Sequence, residues 1–447
     1  MLLKLPLEVV ELIVLKLSYD DILNIGCCCK VLHEVATNEG LWEKCAKRDF
    51  NVNLKCSNKK NCSNLKENVD RSFSARAFVW NILRRYGKAL QRTYQRTNYA
   101  YYGGLVKLLY HNYMLHLIDL DPPAFPSTHD PLQTRVICQV FLSPKSNKTV
   151  VVRYLEYKPK PSPYGDTCSS PTYSFDVNEL NRPDETRYTI SLRSTPCPLP
   201  EVMELNNEWY HMQGDEVKET ELSKRLGIPR DMAKLRSRHQ TLYILEGSQK
   251  YRAIEEQAFH PSYPIQPGFF KATYGYHGNE IIQLKYSERS NEIVASKITG
   301  DPNVPFGEIV FKAYTDKPIN RDMMSDGEEV DYFDNLRNAF DRAMKLDKGN
   351  KITDRTQSPQ PFHLPKGYLL SHDVKLTEFK ECKWRFMSKF QIAMPGFQDS
   401  RYVDAHMVVF SEDSFAIISI DIRSLKICHR VKEKLNGIVN YDDFLKS

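Results

Sequence analysis

The sequence predicts an α+β protein in which a small all-helical unit and a basic helical connector precede a large, mostly antiparallel β-barrel domain. Three observations carry that reading. Apolar residues recur at i+4 through the first 43 residues, helical spacing returns near 71–96, and the period drops to two after Tyr101-Tyr102-Gly103-Gly104. The expected boundaries are 1–47, 48–98 and 99–447.

Within the first unit, Pro6 suits the first helical position, where its missing N–H costs nothing. Val9, Ile13 and Leu17 then repeat at i+4, and Val10 and Leu12 widen the stripe. Ser18-x-x-Asp21 reads as a capping box opening a second helix with Ile22, Leu23 and Ile25. Val31, Leu32 and Val35 mark a third helix, and Asn38 is an N-cap candidate for the helix bearing Leu41 and Trp42. So small a unit cannot bury all this apolar surface alone. It needs either the rest of the chain or a partner.

Residues 45–70 read as a polar loop, followed by a helical stalk over 71–96 with Phe78, Ile82, Tyr86, Leu83 and Leu90 on one face and Arg84, Arg85, Arg92 and Arg96 opposite. Residues 44–98 carry 14 Lys/Arg against 3 Asp/Glu. The block lacks the aromatic-glycine and Cys/His motifs of nucleic-acid modules, so a solvated basic helix beside an acidic partner is expected rather than nucleic acid.

Expected strands are 105–109, 114–118, 136–142, 149–154, 188–192, 241–245, 280–286, 292–297, 308–313, 407–410 and 415–421, with a hairpin at Ser411–Ser414. Helices are expected at about 216–225 and at 331–344, where Phe333, Leu336, Phe340 and Met344 keep helical spacing, and 346–362 reads as a mobile loop. No run of about 18 apolar residues exists, so a membrane span is not expected. Met1-Leu2-Leu3-Lys4 does not resemble a secretory signal, and eleven irregularly spaced cysteines point to reduced thiols in the cytoplasm or nucleus.

The order Leu-Pro, Val at i+4, Ile at i+8, an Asp before the second helix, Cys29-Lys30 and Trp42 resembles the F-box family from about Leu5 to Lys44. Cys28 stands where that family usually has Val, a mild change for a small apolar side chain. The resemblance implies docking on the Skp adaptor and, through it, on cullin and RING subunits. It implies that Leu5, Pro6, Val9, Val10, Ile13, Leu17, Leu23, Cys29 and Trp42 form the Skp-binding surface.

The densest polar segment runs from Pro267 to His277-Gly278 and on through Lys297-Ile298-Thr299-Gly300-Asp301-Pro302-Asn303-Val304-Pro305. Gly275, Gly278 and Gly300 permit close backbone approach, and Asp301-Pro302-Asn303 is turn chemistry offering a carboxylate and an amide. No Lys-Ser/Thr follows the glycines, so this is not a phosphate loop. Tyr-Gly-x-His-Gly-x-Glu-Ile and Ile-Thr-Gly-Asp-Pro-Asn-x-Pro resemble the substrate-binding barrel of the F-box only protein 31 family, and plant EXECUTER proteins carry a similar run. The resemblance is strong over 266–313 and fainter over 102–142 and 363–431.

It implies a substrate receptor that presents protein C-terminal degrons, such as cyclin D tails or amidated chain ends, for ubiquitination. Lys297 and Asp301 fall on positions resembling the family's pocket, and Tyr274, His277, Thr299 and Asn303 are walls inferred from proximity in sequence. Lys297 suits a carboxylate or carbonyl, whereas Asp301 suits an amide NH₂ and repels a free carboxylate.

The loop 346–362 is shorter than the family's insert, and the region after Tyr154 lacks the Cys/His-rich run that can hold zinc in relatives. Cys168, Cys197 and the pair Cys56/Cys62 have no metal spacing, so neither a metal nor another cofactor is expected. No nucleophile elbow or zinc-protease motif appears, and a non-catalytic receptor needs none. The rival readings are an F-box-bearing barrel that binds or transforms a small ligand, with His277 as a general base, and a non-ligase scaffold.

Overall fold

The computed structural model describes residues 4–54, 74–97, 101–123, 128–143, 146–154, 173–182, 185–194, 248–274, 277–287, 291–324, 332–345, 359–362, 379–433, 435 and 437–444. The expected strand at 241–245, the helix at 216–225 and Cys56, Cys62, Cys168 and Cys197 lie outside them.

The amino-terminal unit has four helices, α1 (Leu7–Val14), α2 (Tyr19–Ile25), α3 (Lys30–Thr37) and α4 (Glu39–Phe50). Pro6 is the N-cap of α1 rather than its first residue. The Ser18 hydroxyl accepts the Asp21 N–H at 3.2 Å and donates to the Asp21 carboxylate at 2.7 Å, and Asn38 caps α4 through the Gly40 N–H at 2.8 Å. Ile22, Val35, Leu41, Trp42 and Phe50 turn inward and join one core with the next segment and the first sheet.

That next segment changes helical type along its length. α5 (Ala75–Phe78) passes through a π-helical turn (Val79–Leu83) into α6 (Arg84–Tyr86) and a 3₁₀ turn (Gly87–Gln91). Phe78, Ile82, Leu83, Tyr86 and Leu90 are buried as their spacing predicts. The expected stalk helix ends early: Thr93–Arg96 is β1, so Arg92 and Arg96 are not on a helix face. Arg96 is buried, with its guanidinium 2.9 Å from Asp119, which Arg135 also meets at 2.7 Å. A charge read as solvated is therefore half of an internal ion pair.

Two β units follow, a separate sheet and, after it, the expected closed barrel. The first is an eight-stranded antiparallel sheet ordered β5-β4-β3-β2-β1-β8-β7-β6. Its strands are β1, β2 (Leu105–His111), β3 (Met114–Asp121), β4 (Gln133–Ser143), β5 (Ser146–Tyr154), β6 (Tyr173–Arg182), β7 (Glu185–Ser194) and β8 (Ser248–Ala253). The helical segment packs on this sheet, with Phe78 edge-on to Tyr110 and Tyr86 edge-on to Phe175.

The second unit is a closed antiparallel barrel in the order β10-β11-β12-β15-β16-β17-β18-β9. It comprises β9 (Gly268–Thr273), β10 (Asn279–Tyr286), β11 (Glu292–Lys297), β12 (Ile309–Pro318), β15 (Trp384–Met394), β16 (Gln398–Val409), β17 (Ser414–Ser419) and β18 (Ser424–Arg430). Its lumen is filled by Phe270, Ile282, Leu284, Ala295, Phe311, Phe390, Ala405 and Phe415, among others. Outside, α7 (Tyr332–Lys345) lays Phe333, Leu336 and Phe340 on Met387, Val408, Ala416 and Ile418. The carboxyl end of the expected loop 346–362 is ordered, since β13 (Gln360–Pro361) pairs with β14 (Glu381–Cys382). A short α8 (Tyr441–Phe444) packs against β2.

Sheet and barrel meet through Leu105, Leu109, Ile118, Phe269, Ile281 and Ile298. Their backbones also join: Gly103 bridges to Thr299, the Gly300 N–H donates to the Tyr102 carbonyl at 2.9 Å, and the Phe306 N–H donates to that of Tyr101 at 2.9 Å. A Cβ on Gly300 would come within 2.5 Å of the Pro305 carbonyl carbon and the Tyr101 carbonyl oxygen, which explains why no side chain fits there. The turn that carries Asp301 is thus held from the neighbouring sheet.

Candidate functional site

Along β10 the side chains of Ile282 and Leu284 point into the barrel, and along β11 those of Ile293 and Ala295 do. Strand alternation puts Glu280 and Lys297 on the same inward face, at the end of the barrel where the Asp301 turn lies. The Lys297 ammonium sits 2.6 Å from the Glu280 carboxyl and 2.5 Å from Asp301. All three side chains are almost fully buried, and Lys297 is only 1% exposed. The other oxygen of Asp301 accepts the Asn303 N–H at 2.6 Å and the Val304 N–H at 2.9 Å, which closes the turn.

Two carboxyl groups around one buried ammonium cannot both carry charge cheaply. Burial pushes Glu280 well above the usual carboxylate range despite Lys297, so of the two carboxyl groups it is the one that favours the protonated form. Burial acts on Asp301 in the same direction, but Lys297 and a hydrogen bond from Glu280 outweigh it and keep Asp301 ionised. Asp301 is the fixed anion of the site.

The Tyr274 ring, at the end of β9, lies 4.2 Å from the Lys297 ammonium and 4.9 Å from that of Lys426, which also faces Phe390 at 5.4 Å. Burial, with Lys297 nearby, lowers Lys426 to about 8. Half-buried His277 stands at the same end, its imidazole held below its ordinary pKa by burial. The β15–β16 hairpin forms one rim: the Gly396 N–H donates to the Pro302 carbonyl at 2.8 Å and the Asn303 amide to that of Ala393 at 2.8 Å.

The fold therefore brings together four of the six residues singled out in this region, Tyr274, His277, Lys297 and Asp301. The other two are internal braces. The Thr299 hydroxyl accepts the Ile281 N–H at 2.7 Å, and Asn303 is spent on Asp301 and Ala393. Glu280 and Lys426 were missed. Strand parity signals Glu280, because it shares a face with Ile282 and Leu284, whereas only closure of β18 against β9 carries Lys426 to Tyr274.

At the other end of the chain, the helices display an outward apolar stripe. Leu5, Leu7, Val9, Leu12, Ile13 and Val31 are exposed, Leu12 by 59% and Ile13 by 41%. Of the expected Skp-facing set, Pro6 is also exposed, and Leu17, Leu23 and Cys29 are half-buried. Val10 and Trp42 correct the expectation: both are buried in the core, and the Trp42 indole donates to the Ala36 carbonyl at 2.8 Å. They shape the module rather than its surface.

Residues 2–44 match the F-box domain family, and residues 251–434 match the family described as the Cyclin D1 binding domain. Among curated relatives, F-box only protein 31-B of Xenopus laevis is 22% identical over 97% of this chain and 84% of its own length. F-box only protein 31 of Rattus norvegicus is 22% identical over 96% of the chain and 85% of its own length, and that of Homo sapiens is 24% identical over 69% of the chain and 51% of its own. The barrel and its charged end fall inside the second match. The chain thus matches the F-box family and then the family described as the Cyclin D1 binding domain, in that order, and it is similar over nearly all its length to F-box only protein 31.

Proposed function

We propose that this chain is a non-catalytic substrate receptor of a Skp–cullin–RING ubiquitin ligase that grips protein C-terminal tails, cyclin D-like tails or amidated ends, in the barrel. The observation that carries the proposal is the buried Glu280–Lys297–Asp301 cluster closing one end of the barrel. A barrel closed inside by its own apolar side chains and carrying fixed charges and the Tyr274 ring at one end suits a chain terminus docking at that end, which brings its own charge or amide, better than a chain passing through. The matched cyclin D1 binding domain supports a protein substrate, and the exposed stripe from Leu5 to Val31 supports an adaptor surface.

The mechanism is proximity. Helices, connector and first sheet share one core, and the Asp301 turn is bonded to that sheet, so adaptor surface and substrate site move as parts of a connected body. Holding a tail at one end of this body raises the local concentration of acceptor lysines near the ligase, whose other subunits transfer ubiquitin. All seven cysteines among the described residues are free thiols, in keeping with a cytoplasmic or nuclear setting.

Fluorescence anisotropy with a labelled D-type cyclin tail peptide tests the reading. A peptide with its natural end binds, and the same peptide extended by two glycines binds at least about tenfold more weakly. Equal affinities would show that no chain end is read.

A further inference from the structure

Among the charged groups at the barrel end, Lys426 is the one left over. Lys297 is held by two carboxyl groups, and Asp301 by Lys297 and two backbone N–H groups. Among the described residues, Lys426 makes no hydrogen bond and no ion pair; its ammonium touches only the faces of Tyr274 and Phe390. It is also the more exposed of the two lysines, half-buried where Lys297 is closed off. An amine on an aromatic floor, partly desolvated and bonded to no carboxylate, with Glu280 and Asp301 acting on it only from a distance, gains from an arriving anion.

We propose that Lys426 is the specificity-determining cation that receives the free α-carboxylate of a bound chain end, set against Asp301, which disfavours that carboxylate and favours a terminal amide. This rests on the chain-end reading above and goes beyond it by assigning the two preferences to two different side chains. Lys297 then serves to hold Asp301 in place and is not the carboxylate's partner. The alternation of β18 supports the assignment, since Lys426 lies on the same inward face as Cys428, opposite Ile417 of β17 and two residues from the Cys428–Ala272 pairing with β9. Its lowered pKa, about 8, leaves it mostly protonated at neutral pH, so the cation is present when a carboxylate arrives.

The test uses the full chain bound to its adaptor and one D-type cyclin tail peptide made in three forms, with a free carboxylate, with a carboxamide and with a two-glycine extension. Lys426→Met keeps the length of the side chain and removes its charge. It is expected to weaken the acid form by about tenfold or more and the amide form by less than about twofold. Lys426→Arg is expected to retain the preference for the acid, which separates charge from packing. Asp301→Asn is expected to shift the ratio the opposite way. Equal weakening of acid and amide forms by Lys426→Met, or no weakening of either, overturns the assignment of Lys426 while leaving chain-end recognition standing. If the extended peptide binds wild type as well as the other two, chain-end recognition fails and the assignment falls with it.

Discussion

Removing the Asp301 side chain strips the turn of its anchor in a way that can be worked from the geometry. In Asp301→Ala, the Asn303 and Val304 N–H groups lose their shared acceptor, and Lys297 loses a carboxylate at 2.5 Å. Breaking one side of a buried ion pair costs about 3–5 kcal/mol. Glu280, 2.6 Å from the same ammonium, can surrender its proton and compensate part of this, so a loss of about 3 kcal/mol, at the lower end, is expected. Asp301→Asn keeps an oxygen for the two N–H groups and is therefore expected to lose about 1–2 kcal/mol less than the alanine variant. Hydrogen exchange read by mass spectrometry over 301–306 is the local assay. The alanine variant should expose this segment with protection reduced by roughly a hundredfold, and the asparagine variant by roughly tenfold. Equal protection in both, or a change no larger than that of a surface substitution, would refute the anchoring argument.

Glu280, held protonated by burial, makes the folded protein bind more protons than the unfolded chain once pH exceeds the ordinary glutamate value. Its contribution is therefore full below that value and fades as pH rises toward the folded one, by about 1.4 kcal/mol per pH unit in that window. Unfolding midpoints across pH 5–8 should fall less steeply in Glu280→Gln than in wild type; parallel curves would contradict the assignment. On the helical module, Leu5→Ala with Ile13→Ala should abolish Skp binding in a pull-down while leaving the circular dichroism spectrum intact. Trp42→Ala should instead destabilise the module by about 3–5 kcal/mol, and a mild thermal shift would count against its core position. Gly300→Ala, which forces a Cβ into backbone, should lower the melting temperature of the chain, and an unchanged melt would argue that sheet and barrel are not joined at this turn.

Much of this was legible because its signals are local. The caps Ser18 and Asn38, the buried faces of Phe78, Ile82 and Tyr86, and β2, β3, β10 and β11 all follow from spacing within a few residues. The hairpin at Ser411–Ser414 was likewise set by its turn residues. What failed was long-range. Arg96 read as the solvated face of a helix because its partner Asp119 is supplied by β3 and only folding pairs them. The antiparallel barrel is present, but the separate sheet beside it was not legible, because alternation identifies strands and not which edges meet. In the site, Lys297 and Asp301 stood out four residues apart, whereas Lys426 is 125 residues beyond Asp301, in a strand that was not among those expected. Val10 and Trp42 show the complementary error: helical spacing finds an apolar stripe but does not tell which side of it meets a partner.

The most direct test of the whole account is ubiquitination in a reconstituted Skp–cullin–RING assembly, with a folded reporter carrying a D-type cyclin tail as substrate. The account predicts modification that depends on the free tail end, disappears when two glycines extend it, and is lost in both the Leu5→Ala/Ile13→Ala and the Asp301→Ala chains. Undiminished modification of the extended reporter, or of the natural reporter by either altered chain, would contradict it.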